Sequence, residues 1–195
     1  MTAPATLVLA THNPGKLAEL RRLLAPLPLR LLDAASLGLP LPDEIGASYR
    51  DNASIKARAA AAACGGLALG DDTGLELDVD GGAPGVHTAE FVAAAGSEAA
   101  AALRLARDHG VLAGAADVRA SLCCALVLAD AHRVCGEAFA RVRGRLRWPP
   151  DPQVPSALAG MLRLDRGAVL DDGVLAHRRA AFARLLPTLR AAVGA

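Results

Sequence analysis

The sequence predicts an α/β fold, on three observations. Short apolar runs with strand character alternate along the whole chain with stretches that carry apolar residues at helical spacing. The 195 residues are 53% hydrophobic, ample for a packed core and consistent with a single domain over 1–195. There is no internal repeat, and no linker clearly separates two domains.

The elements follow in order. Thr6 to Ala10 reads as a buried strand, followed by a Thr-His-Asn-Pro-Gly turn and a helix through Lys16 to Leu24 with leucines at 17, 20, 23 and 24. A second strand near Leu29 to Leu32 leads through a Pro/Gly-rich connection, as far as Pro42, to a helix from about Tyr49 to Cys64. Leu67 to Leu69 makes a short strand that runs into Gly70-Asp71-Asp72-Thr73-Gly74. Leu75, Leu77 and Val79 then alternate with Glu76, Asp78 and Asp80 in a half-exposed strand, so an acidic turn is expected between two strands. After a Gly/Pro loop from Gly81 to Val86, a helix is expected from Ser97 to His109. Val118 to Leu128 pairs antiparallel with Arg133 to Arg143 through a turn at 129–132. Prolines at 149, 150, 152 and 155 break the pattern between Arg145 and Asp172, and a last helix from about His177 to Val193 is expected to be interrupted near Pro187.

Charge narrows the function. A net charge of +1 with dispersed acids and bases gives no broad footprint for duplex nucleic acid or an acidic membrane, so an anionic ligand should be small and bound locally. No apolar run reaches the roughly 18 residues of a membrane span, and no signal-type N-terminus is present, so the expected compartment is the cytoplasm. Cys64, Cys123, Cys124 and Cys135 form no C-x-x-C pair, and the adjacent Cys123 and Cys124 would point to opposite faces of a strand; reduced, buried thiols are expected. The chain has only two lysines and two asparagines, in the pairs Asn13/Lys16 and Asn52/Lys56. Where arginine fills nearly every other basic position, a lysine suggests the use of a compact ammonium on a phosphate oxygen.

Four constellations carry possible chemistry. Thr11-His-Asn-Pro-Gly-Lys16 lies where a strand turns into a helix, and either forms an anion site from helix N-terminal N–H groups and the lysine or simply caps the helix. Asp43-Glu44-Ile-Gly46 precedes Asn52 and Lys56, which share one helical face, so a carboxylate and a cation either converge or remain solvated. Asp71-Asp72-Thr73-Gly74 suits Mg²⁺, which takes one or two carboxylates plus substrate phosphates, and a carboxylate beside it can take a proton from water; the alternative is a polar turn. His177-Arg178-Arg179 opens the last helix with cations that oppose its dipole, which favours an anionic partner.

Taken in this order, the segments resemble the inosine triphosphate pyrophosphatase family, enzymes that act on non-standard purine nucleoside triphosphates, and the match is specific up to about residue 92. That family's T/S-x-N-x-x-K is similar to Thr11, Asn13 and Lys16, and its E-E-T-G-x-T-F-x-E-N-A-x-x-K-A to Asp43, Glu44, Gly46, Ser48, Tyr49, Asp51, Asn52, Ala53, Lys56 and Ala57. A-D-D-S-G-L-x-V-D resembles the segment from Gly70 to Asp78, and G-x-P-G-V-x-S-A-R the segment from Gly82 to Glu90. The resemblance implies hydrolysis between the α- and β-phosphates to a nucleoside monophosphate and pyrophosphate, with Mg²⁺. It implies Asp72 as general base and metal neighbour, and Glu44 as metal ligand. Thr11, Asn13, Lys16, Asn52, Lys56, Thr73, His177 and Arg178 would be the substrate contacts. The implied fold is an elongated mixed β-sheet flanked by helices, with two lobes and a central cleft, in a homodimer.

The departures fall in the second half. The family's G-F-G-Y-D-P segment, which holds the base, does not occur, and the stretch from Val154 to Met161 stands there without an aromatic residue, so altered base selectivity is expected. No lysine follows Lys56, which leaves Arg163 or Arg166 as stand-ins for a later family lysine, and Glu90 stands where the family has arginine.

Overall fold

Leu7, Val8, Leu9 and Ala10 are all buried, as a strand covered on both faces requires. In the computed structural model, which describes residues 4–40, 42–114 and 116–194, they form β1 (Ala5–Ala10). β1 lies between two parallel neighbours, β2 (Leu29–Asp33) with Leu7 opposite Leu31, and β3 (Leu67–Leu77) with Leu9 opposite Leu69. The sheet has six strands in the order β2-β1-β3-β4-β5-β6, where β4 is Arg119–Ala129, β5 is Val134–Leu146 and β6 is Leu162–Leu164. β5 and β6 pair antiparallel, so the sheet is mixed, as the family resemblance implied.

The helices flank it. α1 (Pro14–Leu24) buries Leu17, Leu20 and Leu24, and α2 (Tyr49–Cys64) buries Ala53, Ala57, Ala60 and Ala61. α2 is capped at both ends: Ser48 Oγ accepts from the Asp51 N–H, and Gly65 closes the helix in the left-handed conformation at φ 66. α3 (Thr88–Ala95) was not anticipated. α4 (Glu98–Asp108), capped by Ser97, follows the expected helix, and a four-residue α5 (Ala157–Gly160) precedes β6. A small hairpin of β7 (Leu170–Asp171) and β8 (Val174–Leu175) leads into α6 (Ala176–Val193).

Two expectations fail on physical grounds. The acidic segment is no turn: β3 runs unbroken through Asp71 and Asp72, and Val79 lies in a 3-10 turn (Asp78–Asp80) beyond its end. α6 continues through Pro187 because Leu185 and Leu189, on either side of it, are held in the core.

By internal contacts the chain divides into two compact units. The first comprises Met1–Asp72, Cys124–Ala140 and Arg178–Ala195; its core is formed by leucines of β1 and α1 with Leu69, Leu126, Leu128, Phe182 and Leu185. The second comprises Thr73–Cys123 and Arg141–His177, with a core around Leu75, Leu77, Leu105, Leu146, Leu158 and Met161. Among the described residues, no helix is long and apolar enough to cross a membrane.

Candidate active site

The first unit holds nearly every residue singled out in the sequence. At the end of β1, Thr11 Oγ1 accepts from the Asn13 N–H at 3.2 Å, and Asn13 Oδ1 accepts from the N–H groups of Gly15 at 2.9 Å and Lys16 at 3.1 Å. Asn13 is therefore the N-cap of α1. The helix N-terminal donators at Gly15 and Lys16 are already engaged and Pro14 has none, so the segment acts as a cap and offers its lysine side chain as the group for an anion.

Asp71 and Asp72 are adjacent on a strand and so point to opposite faces of the sheet. Asp71 is 0% exposed; Lys16 Nζ lies 2.6 Å from its Oδ1, and Arg178 Nε lies 2.8 Å from its Oδ2. Arg178, 2% exposed, also reaches Glu19 Oε2 at 2.6 Å, and the Cys124 thiol donates to Asp71 Oδ2 at 3.6 Å. Burial alone would raise the Asp71 pKa, but the guanidinium and ammonium outweigh it and hold the carboxyl well below the usual range. Burial and the neighbouring Asp71 carboxylate push the Cys124 thiol well up, which keeps it protonated as a donor.

Asp72 meets a different set of groups. Lys56 Nζ is 3.1 Å from its Oδ1, and the same ammonium is 3.0 Å from Glu44 Oε1. Burial, with Glu44 adding to it, outweighs Lys56 and Lys16 and lifts the Asp72 carboxyl to about 6, in the range of a working general base. The Lys56 pKa is raised as well: burial disfavours its charge, yet Asp72, Glu44 and Asp71 together outweigh it, so the ammonium stays charged.

Two glycines permit this geometry. A Cβ on Gly70 would overlap the Ala53 carbonyl oxygen and lie 2.9 Å from the Ala57 N, so only glycine lets β3 approach the backbone of α2 this closely. Gly70 stands where the family pattern quoted above has alanine. Gly46 donates its N–H to Asn52 Oδ1 at 2.7 Å, while Asn52 Nδ2 lies 3.5 Å from Asp72 Oδ2.

The donor set fits a hard divalent cation. Glu44 and Asp72 converge on one ammonium, so two carboxylates face one point, and Mg²⁺ commonly takes one or two carboxylates and completes its shell with water and phosphate. Among the described residues, no three His, Cys, Asp or Glu side chains gather as a closed metal cage.

The remaining expected residues, the buried His177 among them, belong to the second unit, with Thr73 directly following Asp72 in β3. Val154, Leu158, Ala159 and Met161 are spent on that unit's core. Arg163 and Arg166 are exposed, and Glu90 lies 3.4 Å from His87 on the surface. Glu19, Cys124 and the role of Asp71 were missed; the strand parity of residues 71 and 72 was the signal that could have separated the two acids.

The Ham1 family model matches residues 7–153. A dITP/XTP pyrophosphatase of Rhodopseudomonas palustris is 45% identical over 150 residues, 74% of this chain and 70% of that protein. One from Rhodospirillum centenum is 42% identical over 157 residues, 77% and 76% of the two chains. A HAM1 protein from Coxiella burnetii superimposes with a TM-score of 0.79 at 25% identity, over 96% of this chain and 100% of that one. The nucleoside-triphosphatase / dITP/XTP pyrophosphatase of Mycobacterium abscessus gives a TM-score of 0.63 at 30% identity, over 95% and 97%.

Proposed function

The chain belongs to the Ham1 family, and on that premise we propose that it is a Mg²⁺-dependent nucleoside triphosphate pyrophosphohydrolase that cleaves non-standard purine nucleotides such as those of inosine and xanthosine. The observation that carries the reading is the Asp72–Lys56–Glu44 constellation, in which buried Asp72, midway along β3, and half-exposed Glu44 share the buried Lys56 ammonium.

In this reading Asp72 accepts the proton of the attacking water as its oxygen bonds to phosphorus and the bridging P–O bond between α- and β-phosphates breaks. The products are the nucleoside monophosphate and pyrophosphate. A carboxyl lifted to about 6 is ionised for most of the time at pH 7 and still basic enough to take a proton. Lys16 and Lys56 neutralise charge on the phosphate oxygens, each pre-aimed by an acid, which lowers the cost of reorganisation during the reaction. Mg²⁺ held by Glu44 and Asp72 would supply further charge neutralisation on the triphosphate. Thr11 and Asn13 shape the turn that places Lys16, while Thr73 and His177 are substrate contacts carried by the family resemblance. Arg178, bound to Asp71 and Glu19, serves the site through Asp71.

Base selectivity is altered in this reading, because the Val154–Met161 stretch is committed to the core and no aromatic residue stands in it. The enzyme acts as a cytoplasmic homodimer on free nucleotides.

The test is a panel of ITP, dITP, XTP, ATP and GTP with Mg²⁺, measuring pyrophosphate and orthophosphate separately. Pyrophosphate from the inosine and xanthosine nucleotides is expected. Orthophosphate alone would point to a hydrolase of another bond, and release of neither would sink the proposal.

A further inference from the structure

Glu44 lies on a stretch without regular structure between β2 and α2, and its side chain is 36% exposed. A carboxylate on such a stretch needs an anchor if it is to meet the same point each time. The anchor is the Gly46 N–H bond to Asn52 Oδ1, 2.7 Å long and made two residues beyond Glu44. Gly46 has no room for a side chain there: a Cβ would stand 2.6 Å from Asn52 Oδ1 and 2.6 Å from Asp51 Cβ.

Asn52 is buried in α2, one turn before Lys56 and on the same face. Its orientation is fixed from both ends: a backbone N–H demands an oxygen, and the Asp72 carboxylate demands a donor. Aspartate would set an oxygen against Asp72, and leucine would satisfy neither end. A side chain of this length with an acceptor on one side and a donor on the other is asparagine, one of the two in the chain.

We infer that Asn52 is a positioning residue, whose carbonyl pins the Gly46 loop that bears Glu44 and whose amide steadies Asp72, so that the two carboxylates are set together for a divalent cation. The consequence for turnover rests on the pyrophosphohydrolase reading; the anchoring of the loop does not.

The experiment compares Asn52→Ala with Gly46→Ala, whose added methyl crowds Asn52 Oδ1 and breaks the same bond while the asparagine itself is kept. Hydrogen exchange at the Gly46 amide should accelerate in Asn52→Ala while exchange at Leu7 to Leu9 stays unchanged. Asn52→Asp should keep Gly46 protected. The Mg²⁺ concentration for half-maximal pyrophosphate release should rise roughly fivefold to tenfold in both alanine variants, the equilibrium equivalent of one net hydrogen bond. Mn²⁺ binding to the protein, read by electron paramagnetic resonance, should weaken in parallel. The double variant should be little worse than either single one, since both remove one interaction.

Unchanged Gly46 exchange in Asn52→Ala overturns the inference. So does a higher nucleotide KM with unchanged Mg²⁺ and Mn²⁺ dependence, which would make Asn52 a substrate contact. If the wild-type protein releases no pyrophosphate, the function is wrong, and the exchange and Mn²⁺ measurements still decide the role of Asn52.

Discussion

Arg178→Met removes the cation from the most deeply buried ion pair of the site while keeping a side chain that fills much of the same space. What it leaves behind sets the size of the effect. Asp71 Oδ2 loses a partner at 2.8 Å and keeps, among the described residues, the Cys124 thiol on that side, and Glu19 loses one at 2.6 Å. Asp71 has no exposure through which water could replace the guanidinium. Removing one member of a buried ion pair costs about 3–5 kcal/mol, and the surviving Lys16 contact at 2.6 Å argues for the lower half of that range. For a chain of this size the loss corresponds to a fall in Tm on the order of 10 °C. Urea unfolding at neutral pH, followed by circular dichroism, measures it directly. Asp71→Asn should destabilise by less, because Arg178 keeps Glu19, and the double variant should cost less than the sum by about 0.5–3 kcal/mol because both act on one network. An Arg178→Met protein within about 1 kcal/mol of wild type, an ordinary surface-scale effect, would refute the picture of Asp71 as a charge held by buried cations.

Three further outcomes are expected. Asp72→Asn should lower kcat by about 10²–10⁴-fold, the usual worth of a general base, while nucleotide binding by titration calorimetry is largely kept; normal hydrolysis would remove Asp72 from that role. Acid should destabilise the metal-free protein through Asp71: its folded pKa is depressed, so its contribution is complete above the unfolded value of about 3.9 and is lost as pH falls below it. Tm measured from pH 6 to pH 3 should therefore fall more steeply for wild type than for Asp71→Asn, and parallel curves would count against it. Gly70→Ala should cost about 1–3 kcal/mol through overpacking against α2, and should lower kcat because Lys56 and Asn52 move with that helix; wild-type turnover in a destabilised protein would show that the helix did not move.

The parts legible in the sequence were those set by local chemistry. α2 spans the expected Tyr49 to Cys64, closed by Ser48 and Gly65, and α4 falls one residue inside each expected limit because Ser97 and His109 are its caps. Glu44, Lys56 and Asp72 could be named because their spacing matched a known pattern, and the fold brings them to one ammonium. β3 was misread as two strands because two adjacent acids look like a turn when taken alone. What lets the strand continue is neutralisation from outside it, by Lys16, by Lys56 and by an arginine 107 residues further along the chain. The Asn13 cap is one of the two roles its turn allows from sequence, and the structure selects it. The Asn52 anchor is not legible in the same way, because its acceptor bonds the backbone of Gly46, in a loop with no regular structure.

The consecutive aspartates also tie chemistry to register. Two identical side chains receive opposite acidities, one held far below its normal range and the other lifted to about 6, solely because one residue number is odd and the other even. A slip of β3 by a single residue against β1, away from Leu9 opposite Leu69, would exchange their faces and aim the wrong acid at Lys56. It would also carry Gly70 out of the one place where α2 needs a missing side chain. A misregistered chain thus meets a charge penalty and a steric penalty together, so the residues that equip the site also proofread the pairing of the strand that bears them.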